Sequence, residues 1–304
     1  MTRRGLFASA AAAAVARPQA PANAATEFQL ACMTLPYGGF SAERALKGIA
    51  SAGYKHVAWG PYHADANGKR IPMIAETAPA SEARDLAART RGLGLEPVMM
   101  FGVVYVEAPE ALDAYRRRIE QANAARIPFI LAFGNTKGGP GQRDIWVRNL
   151  KTLGPIARAA GVTIAIKQHG GTTATGEMCA SIVKEVGDEN IKMFYDAGNT
   201  MWYNGSDVGP DMKISAPYVR GFAIKDFRAV PKRATCGPGY GEVDHYKLLL
   251  PVARTGLTMP LAFETIFAPY VPRPSTPEGV DVVARQVREY METVVAGLRA
   301  AETA

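Results

Sequence analysis

The sequence predicts a single-domain α/β protein built as a closed (β/α)8 barrel. Short apolar runs alternate with longer amphipathic runs eight times from residue 28 onward, with no linker between the units. The longest predicted loops all follow the apolar runs, whereas the turns before those runs are tight and contain glycine. At 304 residues the length alone also allows two ordinary domains. Eight consecutive units of about 30 residues fit one closed barrel better than two open sheets.

The first 25 residues differ in kind from the rest. An arginine pair, Arg3 and Arg4, precedes an alanine-rich run, and small residues at 22–25 suit a signal peptidase. This order is typical of an export signal, and the paired arginines indicate the twin-arginine route. We therefore expect residues 1–25 to be the signal, residues 26–304 to be the barrel domain, and the protein to be periplasmic or otherwise exported. The alternative is a disordered or helical N-terminal arm.

Strands and helices then follow in alternation. Strands are predicted at 28–34, 54–59, 95–101, 127–133, 162–167, 191–196, 219–225 and 259–264, and helices at 41–52, 79–92, 109–125, 142–160, 175–187, 209–217, 243–255 and 277–300. Long loops are predicted at 60–78, 134–141, 199–209 and 227–241, on the face where barrel enzymes place their active sites. Ser41 is predicted to cap the first helix, because an acid follows in the first turn. Gly53, Gly94, Gly161 and Gly256 are predicted to end helices just before strands.

Charge and composition exclude several classes of partner. Without residues 1–25 the formal net charge falls from +7 to +4, because that segment holds three arginines and no acid. The remaining Lys and Arg are scattered among acids, which argues against nucleic acid binding. No later stretch reaches the roughly 20 uncharged apolar residues of a membrane span. Cys32, Cys179 and Cys236 are odd in number and widely spaced, so we expect buried free thiols.

Chemically active side chains stand at the predicted carboxyl ends of five strands. In chain order they are Trp59 and His63, Lys167 and His169, Asp196 and Asn199, Lys225 and Asp226, and Glu264. Closure of the barrel is expected to bring them together. A buried carboxylate must be paired, so Asp196 and Glu264 have a second interpretation as partners that only neutralise Lys167 or Lys225. Asp226 is expected to have a structural role in its loop.

A set of short motifs in a specific order resembles a known family. The motifs are 53–57 (GYKHV), 161–166 (GVTIAI) followed by 169–171 (HGG), 196–198 (DAG), Lys225 with Asp226, 239–244 (GYGEVD), and Glu264. Over about residues 28–298 the chain resembles the xylose isomerase-like TIM barrel family. That family includes sugar epimerases and isomerases and the endonuclease IV type of repair enzyme. The resemblance implies a divalent metal held by Glu, Asp, His and Glu from the fifth to eighth strands.

Two of the four implied metal ligands are replaced. Asp196 and Glu264 match, but Lys167 stands in place of the first glutamate and Ala223 in place of the histidine. An ammonium group cannot ligate a cation and repels it. We therefore expect no cofactor and no tightly bound metal. A weakly bound manganese or zinc ion, with His169 as a replacement ligand, is the alternative.

Together these residues predict an exported isomerase, epimerase or lyase that acts on a keto or acidic carbohydrate by moving a proton next to a carbonyl. Lys167 is expected to stabilise the enolate oxygen while Glu264, helped by His169, moves the proton. A Schiff base on Lys167 is a narrower version. The residues predicted to bind substrate are Asp196, Asn199, Lys225, Trp59 and Arg228, with Lys225 and Arg228 holding an acidic or phosphorylated group. The alternative is a non-catalytic carbohydrate-binding protein or pseudoenzyme.

Overall fold

In the computed structural model, which describes residues 24–102 and 104–300, eight parallel strands close into a barrel. The barrel strands are Glu27–Met33, His56–Trp59, Glu96–Phe101, Phe129–Ala132, Thr163–Ile166, Ile191–Tyr195, Val219–Ile224 and Thr258–Phe263. Each pairs with its neighbours in chain order, and the eighth pairs with the first. The predicted fold class and all eight predicted strands are confirmed. The predicted export signal lies outside the described residues, except for residues 24 and 25.

Helices surround the barrel. The α-helices are Ala42–Ser51, Ala80–Gly92, Ala111–Ala125, Gln142–Ala159, Gly176–Val186, Ala197–Asn204, Val208–Ser215, His245–Leu249 and Pro277–Ala300, and the 3-10 turns are Leu35–Tyr37, Ala216–Tyr218 and Leu250–Val252. The Ser41 cap is confirmed, because its hydroxyl accepts a hydrogen bond from the Arg44 amide at 3.2 Å. The four glycines expected at helix ends have φ between 66° and 89°, where a Cβ atom would be strained. None of the helices described is long and apolar enough to cross a membrane.

Three of the predicted loops contain regular structure. Residues 60–78 include an antiparallel hairpin of Tyr62–Ala64 and Arg70–Pro72. A second hairpin, of Asp226–Arg228 and Ala234–Cys236, follows the seventh barrel strand. The predicted loop at 199–209 is largely the helix Ala197–Asn204. The predicted helix at 243–255 is correspondingly shorter and passes into a 3-10 turn after Leu249.

Inward-facing side chains fill the barrel in layers, and the layers explain where the charged residues meet. The deeper layer is apolar and consists of Met33, Ala58, Met99, Leu131, Ala165, Phe194, Ala223 and Ala262. Residues two apart on a strand face the same side, so the next layer toward the carboxyl ends begins two positions later. That layer is Leu35, Gly60, Phe101, Phe133, Lys167, Asp196, Lys225 and Glu264. Its first half is uncharged and its second half alternates in sign, which places all four charges on one side of the barrel mouth.

Candidate active site

Four charged side chains from neighbouring strands form a closed ring of ion pairs at the barrel mouth. Lys167 Nζ donates to Glu264 Oε2 and lies 3.3 Å from Asp196 Oδ2. Lys225 Nζ lies 3.2 Å from Asp196 Oδ2 and 2.7 Å from Glu264 Oε1. Each ammonium group therefore contacts both carboxylates, and the ring is electrically neutral. Asp196 is 0% exposed and Lys167 only 2%. Charged groups are stable at this depth only because they are paired.

The ring sets the protonation of its members. Burial would raise the pKa of Glu264, but the Lys167 and Lys225 ammonium groups outweigh it and hold the pKa below its usual value. Burial also raises the pKa of Asp196 and is not fully offset by the two lysines. For Lys225, burial would lower the pKa, but Asp196 and Glu264 raise it above its usual value. Glu264 is therefore the more firmly ionised carboxylate and a weak proton acceptor.

Backbone contacts hold Asp196 in the ring. Its Oδ1 accepts a hydrogen bond from the Asn199 amide at 2.9 Å and so caps the helix Ala197–Asn204. The Asp196 amide donates to Gln168 Oε1 at 2.9 Å. The side chain of Asn199 donates to the Gln168 carbonyl oxygen at 2.6 Å. Asn199 is thus buried, and its backbone and side-chain N–H groups bond to residues at the ends of two neighbouring strands.

Beside the ring lies a cavity of about 450 Å³. Lys167, Glu264 and His169 line one part of it, and the hairpin after the second strand lines another. Its aromatic lining consists of Trp59, Tyr62, Phe101, Tyr105 and Phe133. Trp59 Nε1 is buried and has no hydrogen-bond partner among the described residues. An indole N–H that is free in an aromatic cavity is a donor suited to a ligand hydroxyl or carbonyl oxygen.

His169 presents a neutral, basic ring to this cavity. Its Nδ1 lies 2.7 Å from the Gly134 carbonyl oxygen, which can only accept, so Nδ1 carries the proton. The basic nitrogen is therefore Nε2. Burial, reinforced by the Lys167 cation, lowers the pKa of His169 below 6.5. Phe133 packs edge-on against the ring with 5.4 Å between centroids, which fixes its orientation.

The structure divides the eight predicted site residues into three groups. Those that line the cavity are Lys167, His169, Glu264 and Trp59. Asp196 and Lys225 lie in the ring beside it. Asn199 and Arg228 lie outside the cavity, and Arg228 Nε donates to the Tyr240 carbonyl oxygen at 2.9 Å. The catalytic and binding roles of all eight stay predictions.

Two charged residues that line the cavity were not predicted from the sequence. Glu76 lies in the predicted loop at 60–78, and Arg118 belongs to a helix and not to a strand end. A signal for Arg118 exists. The buried positions of this helix are mostly spaced three or four residues apart: Ala111, Ala114, Tyr115, Arg118, Ile119, Gln121, Ala122 and Ala125. Of the three consecutive arginines at 116–118, only the last falls on that buried face.

Asp226 has the structural role expected for it, since its buried carboxylate organises the loop after the seventh strand. Oδ1 accepts hydrogen bonds from the amides of Phe227 and Val243, and Oδ2 accepts from those of Gly239 and Gly241. A Cβ atom on Gly241 would lie 2.2 Å from Oδ1, which explains the need for glycine there. The loop is thus built around one carboxylate.

Asp226→Asn is expected to lower the free energy of unfolding by about 3 kcal/mol, because the amide group turns a donor toward backbone N–H groups that need acceptors. Urea denaturation measures the change. Asp65→Asn is the matched control: Asp65 accepts two backbone amides in a partly exposed turn, so its cost is expected to stay below about 1 kcal/mol. Equal losses in the two variants would contradict the structural role of Asp226.

The residues of the ring do not fit a divalent cation. Ammonium groups lie between the two carboxylates, where a cation would have to bind, and they repel it. Ala223, in the deeper layer, has no ligating atom. Within residues 24–102 and 104–300, no group of three or more His, Cys, Asp or Glu side chains is arranged to hold a metal ion.

Comparison with known proteins extends this picture. A family model described as xylose isomerase-like TIM barrel matches residues 46–286. The chain is similar in structure to L-ribulose 3-epimerase, with a TM-score of 0.68 and 16% identity over 90% of this chain and 97% of the other. It is similar to the IOLI protein with a bound zinc atom, with a TM-score of 0.70 and 18% identity over 89% of this chain and 99% of the other.

A third similar structure is a xylose isomerase-like TIM barrel protein from Mycobacterium smegmatis in complex with magnesium. Its TM-score is 0.68, at 15% identity over 89% of this chain and 97% of the other. At these identities the likeness is one of fold. No curated protein matches the sequence at a significant level.

Proposed function

The chain belongs to the xylose isomerase-like TIM barrel family, and from this premise we propose that it is an exported sugar isomerase or epimerase that works without a divalent cation. The main support for this proposal is that the Lys167 ammonium group, paired with two carboxylates, lines the same cavity as the neutral imidazole of His169. The proposed substrate is a keto or acidic carbohydrate. Export rests on the arginine pair at residues 3 and 4 and the apolar run that follows.

Lys167 supplies the electrostatic part of the reaction. An ammonium group has three N–H donors. One donates to Glu264, and Asp196 lies 3.3 Å away as an ion-pair partner, so at least one donor remains for an oxygen in the cavity. When a proton leaves the carbon beside a carbonyl, negative charge develops on that oxygen, and a fixed ammonium stabilises it. A Schiff base on Lys167 would leave its nitrogen at most one N–H for two carboxylate partners, so we favour the non-covalent role.

His169 supplies the base. Its Nε2 removes the proton from the carbon beside the carbonyl, which gives an enediolate, and returns that proton to the neighbouring carbon. The hydroxyl proton passes between the two enediolate oxygens, next to Lys167. Epimerisation would require a second base on the opposite face of the sugar. Glu264 is the cavity's other candidate, but the two lysines hold its pKa below the usual value and make it a weak base, so we favour isomerisation.

Deuterium exchange tests this proposal directly. The protein is incubated in D2O and EDTA with a panel of ketoses, aldoses and sugar acids, and NMR follows the hydrogen beside the carbonyl. We expect deuterium to enter one substrate class, and to enter it at the same rate with EDTA as without it. Exchange that stops in EDTA and returns with manganese or zinc would overturn the metal-free mechanism. The absence of exchange with every sugar of the panel would overturn the proposal that the protein is an isomerase or epimerase.

The pH profile should carry the signature of His169. The base must be unprotonated, so kcat/KM should rise with pH to a plateau, with a midpoint below 6.5 because burial and Lys167 lower this pKa. His169→Gln should reduce kcat by about 10²-fold to 10⁴-fold and remove this limb. His56→Gln is the control, since His56 is half-buried at the start of the second strand and does not line the cavity. A midpoint unchanged by His169→Gln would assign the limb to another group.

One observation favours a second candidate, a non-catalytic carbohydrate-binding protein. The ring neutralises both lysines, and Lys167 is almost fully buried, as expected of a purely structural network. In that case a sugar would bind the aromatic cavity without exchange of any carbon-bound hydrogen. His169→Gln would then change only the affinity for the sugar.

A further inference from the structure

Arg118 is a buried cation at the cavity with little to compensate it. It lies on the helix Ala111–Ala125, is 5% exposed and lines the cavity. Among the described residues its Nε has no hydrogen-bond partner, and its Nη2 reaches the Ile74 carbonyl oxygen only at 3.3 Å. A guanidinium group has five N–H donors in a planar fork. Most of these donors are therefore left for something other than the described protein atoms.

The charges of the described residues around the cavity balance one another, except for that of Arg118. The ring contributes two ammonium groups and two carboxylates, which cancel. Glu76, which also lines the cavity, forms an ion pair with Arg117. Arg118 is then the one unmatched charge among the described residues that line the cavity. Burial lowers its pKa to about 10, a stronger effect than the opposite influence of Tyr115 and Glu76, so it stays a cation at neutral pH.

A buried charge without a counterion is costly, and an anion in the cavity would remove that cost. We propose that Arg118 binds the carboxylate of a sugar acid, so that the substrate of this cavity is a monoanionic acidic carbohydrate. This inference rests on the proposed function and narrows its substrate class. A planar guanidinium matches a carboxylate with two parallel hydrogen bonds. One unmatched positive charge suits one carboxylate better than a phosphate, which carries about −1.5 to −2.

The remaining lining of the cavity fits the rest of such a molecule. Trp59 Nε1 is an unused donor for a hydroxyl or carbonyl oxygen, and the aromatic rings offer faces on which a sugar ring can stack. Lys225 and Arg228, the residues expected from the sequence to hold an acidic group, do not line the cavity. Lys225 is paired with carboxylates in the ring, and Arg228 contacts a backbone carbonyl oxygen. In this proposal Arg118, and not Lys225 or Arg228, binds the acidic group of the substrate.

Calorimetry with matched ligand pairs tests the inference on the full chain. The pairs are glucuronate with glucose, galacturonate with galactose, and gluconate with glucitol, with glucose 6-phosphate and inorganic phosphate as the phosphate arm. At least one carboxylate is expected to bind about 10-fold to 100-fold more tightly than its neutral partner. Arg118→Gln should abolish that difference. Equal affinity within every pair, or a preference that survives in Arg118→Gln, would overturn the proposal, and tighter binding of phosphates would overturn the carboxylate assignment.

Two further variants keep the test decisive. Arg116→Gln removes the same charge from the same helix, but Arg116 is half-exposed and paired with Asp113, so carboxylate affinity should not change. Arg118→Lys keeps the charge without the planar fork and should weaken carboxylate binding about 5-fold to 10-fold. It replaces Arg118→Gln if that variant does not fold. Arg118-dependent binding without deuterium exchange would contradict the proposed enzymatic function but support the carboxylate site. Deuterium exchange in neutral sugars alone would support the enzymatic function and contradict the carboxylate site.

Discussion

Lys167→Met is expected to lower turnover by about 10³-fold or more and the free energy of unfolding by about 3 to 5 kcal/mol. The variant loses the ammonium that lines the cavity, and it leaves the buried carboxylates of Asp196 and Glu264 to share Lys225 alone. One negative charge in the ring then has no counterion. Deuterium exchange measures the first effect, and urea denaturation at neutral pH measures the second.

The pH dependence of stability distinguishes loss of the ring from a general packing defect. In the wild type the folded pKa of Glu264 lies below its usual 4.5. Its contribution to stability is therefore complete above 4.5 and is lost as the pH falls through the folded value. In Lys167→Met a carboxylate of the ring takes up a proton more readily, so the deficit relative to wild type should shrink on acidification. A deficit that is constant with pH would contradict the charge argument.

Lys247→Met is the matched control for this experiment. Lys247 also forms an ion pair with an aspartate, but its side chain is 79% exposed, where a single pair contributes little. Its stability is expected to stay within about 0.5 kcal/mol of wild type. If the two variants behave alike, the buried ring has no special role.

The strands were predictable because a strand buried on both faces is a largely continuous apolar run, as in Thr163–Ile166. The hairpin of Tyr62–Ala64 and Arg70–Pro72 was not, because its strands have three residues each and contain no continuous apolar run. Contacts distant in sequence hold it in place. His63 lies 2.9 Å from Thr34 Oγ1 and 3.1 Å from the Phe40 carbonyl oxygen. Local sequence carries no record of those partners.

The ring was predictable in its members for a related reason, since alternation along four strands places Lys167, Asp196, Lys225 and Glu264 on one inner face. Which polar atoms remain free was not predictable. The side chain of Asn199, a predicted substrate-binding residue, donates to the Gln168 carbonyl oxygen, whereas Arg118 Nε has no hydrogen-bond partner among the described residues. A single sequence records residue types and spacing. It does not record which backbone groups use up each side chain.

Lys167→Glu combined with Ala223→His is expected to create a site for manganese or zinc with a Kd in about the micromolar range. The native ring contains two cations and two anions. The substitution at 167 leaves Lys225 as the one cation among three carboxylates, a net charge of −2, which one divalent ion neutralises. The imidazole at 223 supplies the ligand that the resemblance to the family implies, at a packing cost of about 1 to 3 kcal/mol in the apolar layer.

Calorimetry with the metal alone measures this site, and Ala223→His alone is the control. That single variant has the added imidazole but keeps the neutral ring, so it should bind no metal at millimolar concentration. If the double variant binds none either, the match between these strand ends and the family's ligands is wrong. If it binds while the control does not, charge balance decides what occupies the barrel mouth. The two positive charges of the metal ion would then replace the charge lost with Lys167 and balance the negative charge that the new carboxylate adds.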